Sequence, residues 1–323
     1  MRPEANNAAI IRNRLLDQGV ELAWTAAPIP AEALGVAGVS EPLPAGTTII
    51  RQAPGVGRKL ALYAAELGVD IYPLATEPNV ATVKLNKPRL AIYENWGGNA
   101  DAGWTRMIFD DFEFEYTHLR DARIRAGNLI SEFDVIILPD NSLSTMKNGL
   151  RAGSAPDEYT GGMGDEGFAA LKEFVEAGGT LVTFDTAGDF AMDFLGVPVT
   201  NALKGVTSTE FYCPGSILEV DVDTSHPVAY GLPEKIGAYF VSSPAFEVGG
   251  DAEIIGTYPA DHDPLMSGWL MGPAFIQGKT AITEAPFGLG RVIMIGFRPQ
   301  HRGQPHGTYK LIFNSIFYGA SGE

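Results

Sequence analysis

The chain has one cysteine, Cys213, among 323 residues, so no disulfide can form within it. That leaves the compartment open, because many exported proteins also lack disulfides. No run of about 18 apolar residues occurs, which predicts no membrane-spanning helix. The first nineteen residues, MRPEANNAAIIRNRLLDQG, contain no uninterrupted apolar core and do not read as a signal peptide. Basic residues are few, 23 Lys and Arg against 39 Asp and Glu, and the net charge of −16 argues against nucleic acid or an anionic membrane as a partner. Histidine is scarce as well. None of the five histidines is followed by Glu three residues on, and no His-Glu-x-x-His occurs, so the usual zinc-peptidase spacings are missing. His118 is followed by Asp121 instead. His301 and His306 offer only two ligands across a loop, and no metal is expected from them. The glycines of GGMGDEG (161–167) do not open a helix after a strand as a dinucleotide-binding loop would. There is no internal repeat.

What remains is a globular α/β pattern. Hydrophobic residues make up 45% and charged residues 19%, enough to bury a substantial core. Residues 1–88 form a first unit. It has a helix around Ile10, Ile11, Leu15 and Leu16, then strands at 20–24 and 47–51. A helix follows over 57–67, with Leu60, Tyr63 and Leu67 on one face and Gly68 as its stop, and then a strand at 69–74. The Pro-, Ala- and Gly-rich stretch 26–46 reads as irregular. From residue 89 the pattern becomes strand 89–93, a helix that Asp101 can cap, strands 115–119 and 134–140, a long loop over 141–163, a helix with Phe168, Leu171, Phe174 and Val175 inward, and strand 180–185. Near-continuous apolar strands alternating with helices predict a doubly wound, mostly parallel sheet covered on both faces. After residue 200, alternating strands at 216–223, 238–243, 253–259 and 280–286 predict an appended antiparallel portion. A buried strand at 291–297 and a closing helix over 308–318 follow.

Chemistry in such a fold gathers where strands end. The strand TLVTFD runs into Thr186-Ala187-Gly188 like a nucleophile elbow, a sharp turn that exposes one side chain. Asp185 and Thr186 are the candidates there, with His301 as the candidate imidazole, although no base is evident beside Thr186. The strand RVIMIGF ends in a polar loop holding Arg298, Gln300, His301, Arg302 and His306. That loop reads either as an anion or carboxylate pocket, since the guanidinium fork suits carboxylates, or as a packed loop whose arginines pair with the chain's own acids. Cys213, in FYCPGS, reads as structural.

The order of elements from residue 89 resembles a class I glutamine amidotransferase-like domain of flavodoxin-like type. In that family the elbow carries a cysteine and a late strand ends in His-Pro-Glu. Here Thr186-Ala187-Gly188 and Arg298-Pro299-Gln300 stand at those places. The strings DVIILPD, YTGGMGDEG, EFVEAGGTLVTFD, FYCPGS, SHPVAYGLP, SGWL and GFRPQHRGQPHGTYKLIFN also resemble the C-terminal region of large bacterial zinc carboxypeptidases. Residues 1–88 are similar to the connecting region of those proteins. The resemblance implies a non-hydrolytic accessory region whose zinc ligands and catalytic Glu lie in an upstream metallopeptidase domain, so no position here inherits them and no cofactor is expected in this chain. As partner it implies a peptide, a second copy, the peptidase domain, or a separately encoded peptidase subunit. It also implies export of the full-length relatives. The alternative is a small-molecule hydrolase or ligand sensor that uses the Arg298–His306 loop near Thr186.

Overall fold

The computed structural model describes residues 1–34 and 40–321. The part of the expected irregular segment that falls on 35–39 lies outside the described residues. The N-terminal unit holds α1 (Ala8–Asp17), β1 (Leu22–Thr25), α2 (Ala31–Leu34), β2 (Thr48–Ile50), α3 (Val56–Leu67) and β3 (Thr82–Leu85). Its sheet runs β2-β1-β3, antiparallel throughout. α3 stops where Gly68 takes the left-handed conformation, with φ 65°. Residues 69–74 are not the expected strand; the third strand is β3 instead. Pro73 has no N–H to give a ladder, whereas Thr82–Leu85 lies fully in register with β1. The one-turn helix α2 also interrupts the stretch expected to be irregular.

The N-terminal unit is welded to the rest by aromatic packing. Trp24 meets Tyr230 and Phe317 edge-on, and the buried guanidinium of Arg12 lies 5.5 Å from the Trp24 ring and 5.6 Å from that of Phe317. Met1, Ile11, Leu15 and Trp24 share one apolar cluster with Phe313 and Phe317.

The main body begins at β4 (Leu90–Tyr93). It continues through α4 (Ala100–Asp111), β5 (Tyr116–Leu119), α5 (Asp121–Arg125), β6 (Val135–Leu138), α6 (Leu143–Asn148), α7 (Gly164–Glu176) and β7 (Thr180–Phe184). Four short strands of the appended part come next: β8 (Val199–Asn201), β9 (Ser216–Val222), β10 (Lys235–Phe240) and β11 (Phe246–Val248). Then come β12 (Glu253–Thr257), β13 (Leu265–Ser267), β14 (Thr280–Phe287), β15 (Gly290–Ile295) and α8 (Tyr309–Ala320). Strands β5-β4-β6-β7-β15 are parallel in that order, the flavodoxin-like arrangement of a doubly wound α/β fold.

Both faces of this parallel core are dry. Leu90, Ile92, Val135, Ile137, Val182 and Phe184 point toward Phe109 of α4 and the inner side of α8. Ala91, Tyr93, Ile136, Leu138 and Leu181 point toward Leu171, Phe174 and Val175 of α7. The sequence is apolar at successive positions because each strand has a buried partner on either side. Each Leu, Ile, Val or Phe among them contributes about 1.5–3 kcal/mol of burial.

Two details differ from expectation. Asn99, not Asp101, caps α4: its side chain accepts from the N–H groups of Asp101 and Ala102. The 141–163 loop also contains a helix, α6, started by Ser142, whose hydroxyl accepts from the Thr145 N–H at 3.1 Å.

Beyond β15 the sheet turns antiparallel through β14, β12, β9 and β10, with β11 on β14, β8 on β11 and β13 on β9. β14 and β15 are joined by the two-residue turn Gly288-Leu289. Gly288 has φ 63°, as the first position of a type II′ turn requires, and a Cβ there would stand 2.5 Å from the Glu176 backbone. The tip docks on the end of α7, where the Leu289 N–H donates to the Glu176 carbonyl at 3.0 Å.

Candidate functional site

The carboxyl ends of β6, β7 and β15 and the first turn of α4 converge on one guanidinium. Arg298 follows β15. Its Nη2 meets Asp140 Oδ2 at 2.6 Å, its Nη1 meets Asp101 Oδ2 at 3.4 Å, and its Nε donates to Asp185 Oδ2 at 3.2 Å. Asp140 follows β6, Asp185 follows β7 and Asp101 lies in α4, so three separate elements supply the carboxylates. Gln300, fully buried, donates from Nε2 to Asp101 Oδ1 at 3.1 Å. Thr186 donates its hydroxyl to Asp140 Oδ1 at 2.5 Å, and its backbone N–H points at the same oxygen from 3.2 Å.

Asp185 occupies the elbow position. Its φ is 52°, in the left-handed region where a non-glycine residue is strained. It is 1% exposed. Ser243, from the antiparallel part, donates to its Oδ2 at 2.8 Å, while Oδ1 is buried without a hydrogen-bond partner. Burial, and after it the field of Asp140, pushes the carboxyl up to about 7; Ser243 and Arg298 work against the shift. Burial likewise raises Asp101.

The remaining expected residues are placed as follows. The His301 ring stacks on Tyr239 at 3.9 Å, and burial with the charges of Arg302 and Arg298 lowers its pKa. Arg302 is exposed, with φ 52°. The His306 ring lies 4.8 Å from that of Tyr309, and its carbonyl accepts from Asn6 at 2.8 Å. Neither histidine shares a hydrogen bond with Thr186 among the described residues, since the Thr186 hydroxyl is bonded to Asp140. Cys213 is buried, its thiol donates to the Phe240 carbonyl at 3.8 Å, and burial pushes its pKa up. A thiol so placed is a packing group rather than a nucleophile.

Four participants are not among the residues expected at the site. Asp140 is the most legible, because it ends an apolar strand next to the elbow strand and such positions converge. The sequence marks Asp101 only as a helix cap. Ser243 and Tyr239 come from the antiparallel portion, and no local pattern marks them.

A second cluster lies beside the first at the ends of β4 and β5. Glu94 is buried and meets His118 Nε2 at 2.7 Å, Arg106 Nη2 at 3.3 Å and Arg120 Nη2 at 3.7 Å. Arg120 also donates to the carbonyls of Glu94 and Asn95 and lies 4.4 Å from the Trp96 ring. Burial, then Arg120, lowers His118. A groove of about 460 Å³ lies elsewhere, on the antiparallel part; it is lined by residues such as Asp221, Asp223, Glu234 and Lys235, and brings none of the convergent strand-end residues together.

No family model and no curated protein matches the chain. Among solved structures it is similar to a β-galactosidase from Bacillus circulans sp. alkalophilus, at 14% identity and a TM-score of 0.44 over 82% of this chain and 35% of that one. It is similar to a ThuA-like protein from Bacteroides uniformis, at 14% identity and a TM-score of 0.45 over 77% of this chain and 95% of that one. It is also similar to a GMP synthase-type protein from Thermoplasma acidophilum, at 12% identity and a TM-score of 0.44 over 72% of this chain and 93% of that one. The chain thus spans about a third of the β-galactosidase's length.

Proposed function

We propose that this chain is a non-hydrolytic accessory region of a zinc carboxypeptidase-type protein, built on an amidotransferase-like scaffold whose reactive corner has become an ion-pair lock. The supporting observation is the tie of Arg298 to Asp101, Asp140 and Asp185. Amide hydrolysis needs a nucleophile in contact with a base that a third group orients. Here the elbow residue is a carboxylate held by Ser243 and Arg298, the neighbouring hydroxyl belongs to Asp140, and the imidazole of His301 lies flat on Tyr239. The corner is also closed to an incoming carboxylate, because the guanidinium that would receive it already faces three.

Zinc does not suit this chain's own residues. Among the described residues no group of three or more His, Cys, Asp or Glu is placed to hold a metal, and the carboxylates that converge surround Arg298. The zinc carboxypeptidase assignment is supported by the string resemblance, which puts the metal in the peptidase domain and makes that domain the partner. A second reading, a small-molecule hydrolase or ligand sensor, is favoured by Asp185 alone. A strained, buried carboxyl titrating near neutrality is the sort of group active sites use.

Two assays test the proposal. Incubated with zinc and blocked peptides, or with glutamine, the purified chain should release neither C-terminal residues nor ammonia. Chelator-sensitive peptide cleavage, or ammonia release lost in Asp185→Asn, contradicts the proposal. Mixed with a carboxypeptidase A-like domain from a relative carrying both regions, the chain should raise that domain's thermal midpoint. An unchanged midpoint would count against an accessory role.

A further inference from the structure

The cluster around Glu94 reverses the charge balance of the Arg298 crevice. There one guanidinium faces three carboxylates; here one carboxylate serves two guanidiniums and an imidazole. Glu94 is 7% exposed and stands where β4 ends, His118 and Arg120 come from β5 and its end, and Arg106 comes from α4. Arg120 is committed to the carbonyls of Glu94 and Asn95 and to the face of Trp96. Arg106 is not committed. Its Nη2 only approaches Glu94 at 3.3 Å, its Nε is shut from solvent without a hydrogen bond, and Asp110, one turn further along α4, accepts from Tyr116 instead. Glu94 Oε2 and His118 Nε2 are likewise buried without an aligned hydrogen bond, although they stand 2.7 Å apart. An imidazole lowered by burial and by Arg120 carries no charge at neutral pH, so two guanidiniums share a single negative charge. Arg106 keeps a third of its side chain in solvent. Beside it, Trp96 is 39% exposed and Tyr159, edge-on to Trp96 at 4.7 Å, is 36% exposed.

We propose that this cluster binds a small carboxylate whose neighbouring group is an aromatic ring, with Arg106 receiving the carboxylate and Trp96 and Tyr159 receiving the ring. Buried polar atoms without partners call for a group that supplies them, and a surplus guanidinium calls for an anion. The guanidinium fork matches a carboxylate with two parallel hydrogen bonds, and no bond of its own restrains Arg106 from turning to make them. A carboxylate from outside also restores neutrality, because the cluster then holds two negative and two positive charges. Arg120 keeps the two halves of the site together. Its Nη2 stands 3.7 Å from Glu94 Oε2, while its guanidinium covers one face of Trp96 at 4.4 Å and leaves the exposed remainder of that ring for a second flat group. The location, outside the carboxyl ends of β4 and β5, is where α/β folds present their ligands. Glu94 and His118 act as positioning residues that hold the base of the site. The proposal is independent of the accessory role.

Calorimetric titration of the whole chain with N-acetylphenylalanine, and with the same compound as its C-terminal amide, tests it. The acid should bind with a dissociation constant on the order of 1 mM, as a ligand of this size allows, and the amide at least about tenfold more weakly. Arg106→Gln should weaken binding of the acid at least about tenfold, through loss of the charged hydrogen bonds. Trp96→Ala should weaken it at least about fivefold, through loss of the ring contact. Arg51→Gln, an exposed arginine of the N-terminal unit, should leave it unchanged. Circular dichroism shows which variants are folded; should Arg106→Gln fail to fold, the amide and Trp96→Ala decide the matter. No heat with the acid at about 20 mM, equal affinity for acid and amide, or undiminished binding in either folded variant of the site overturns the proposal.

Discussion

The crevice around Arg298 and the outer face around Trp269 are opposites. The crevice stands where parallel strands end, is lined by charge, and has nearly every charged group matched by a neighbour of its own chain. The outer face stands on the appended antiparallel strands, carries few charges, and leaves Trp269 65% and Met266 57% exposed. The position that α/β topology reserves for ligands is thus tied up internally, while the unmatched surface lies on the part added to that fold. The crevice surrounds its one cation with three carboxylates, while the largest exposed side chains lie on the appended strands.

The sharpest way to break this contrast is Arg298→Ala. It leaves Asp101, Asp140 and Asp185 facing one another with no cation; a fully buried cluster would lose about 3–5 kcal/mol, and this half-buried guanidinium should cost about 2–3 kcal/mol. Urea unfolding measures it. A loss near zero would mean that the guanidinium is held in place by packing alone. A cavity control gives the scale: Phe174→Ala, at the centre of the α7 packing, should cost about 3–5 kcal/mol by lost burial.

Asp185→Asn sharpens the contrast through pH. The folded carboxyl titrates near 7 against an ordinary 3.8, so between those values the folded state holds a proton that the unfolded chain has released. Stability from this group therefore falls as pH rises from about 3.8 to about 7 and is level above that. The difference in unfolding free energy, wild type minus variant, should decline across that window. A flat or rising difference would show that the carboxyl is ionised throughout.

Smaller effects complete the series. Ser142→Ala removes the cap of α6 and should cost about 1 kcal/mol. Trp269→Ala should change stability by no more than about 0.5 kcal/mol, because the residue is 65% exposed. A larger loss there would mean that the outer face is part of the fold rather than an exposed surface.

Much of the parallel core could be read from the chain because burial on both faces forces a run of apolar residues. LAIY, VIIL and TLVTF are unmistakable in that respect, and β4, β6 and β7 follow them closely. The terminal helix is legible for the same reason. The short pieces β8, β11 and β13 escaped notice, since three residues carry no period and their pairing is decided by distant partners. At residues 69–74 an apolar run predicts a strand by composition, but Pro73 interrupts it and none forms. At the site, strand ends alone point to Asp185, Thr186 and Arg298. Their bonding was not legible, because Asp140 lies 46 residues before Thr186 and Ser243 lies 58 after Asp185. Proximity across such separations is set by the order of strands in the sheet, and no spacing in the sequence records it.

The central claim is that Arg298 is neutralised by its own chain, and a double-mutant cycle between Arg298 and Asp140, read by equilibrium unfolding, tests it most directly. The two side chains meet at 2.6 Å, so Arg298→Ala and Asp140→Ala should be non-additive by about 1–3 kcal/mol, as contacting charged groups are. Additivity within about 0.5 kcal/mol would contradict the account and return the guanidinium to service as a receptor for an outside anion.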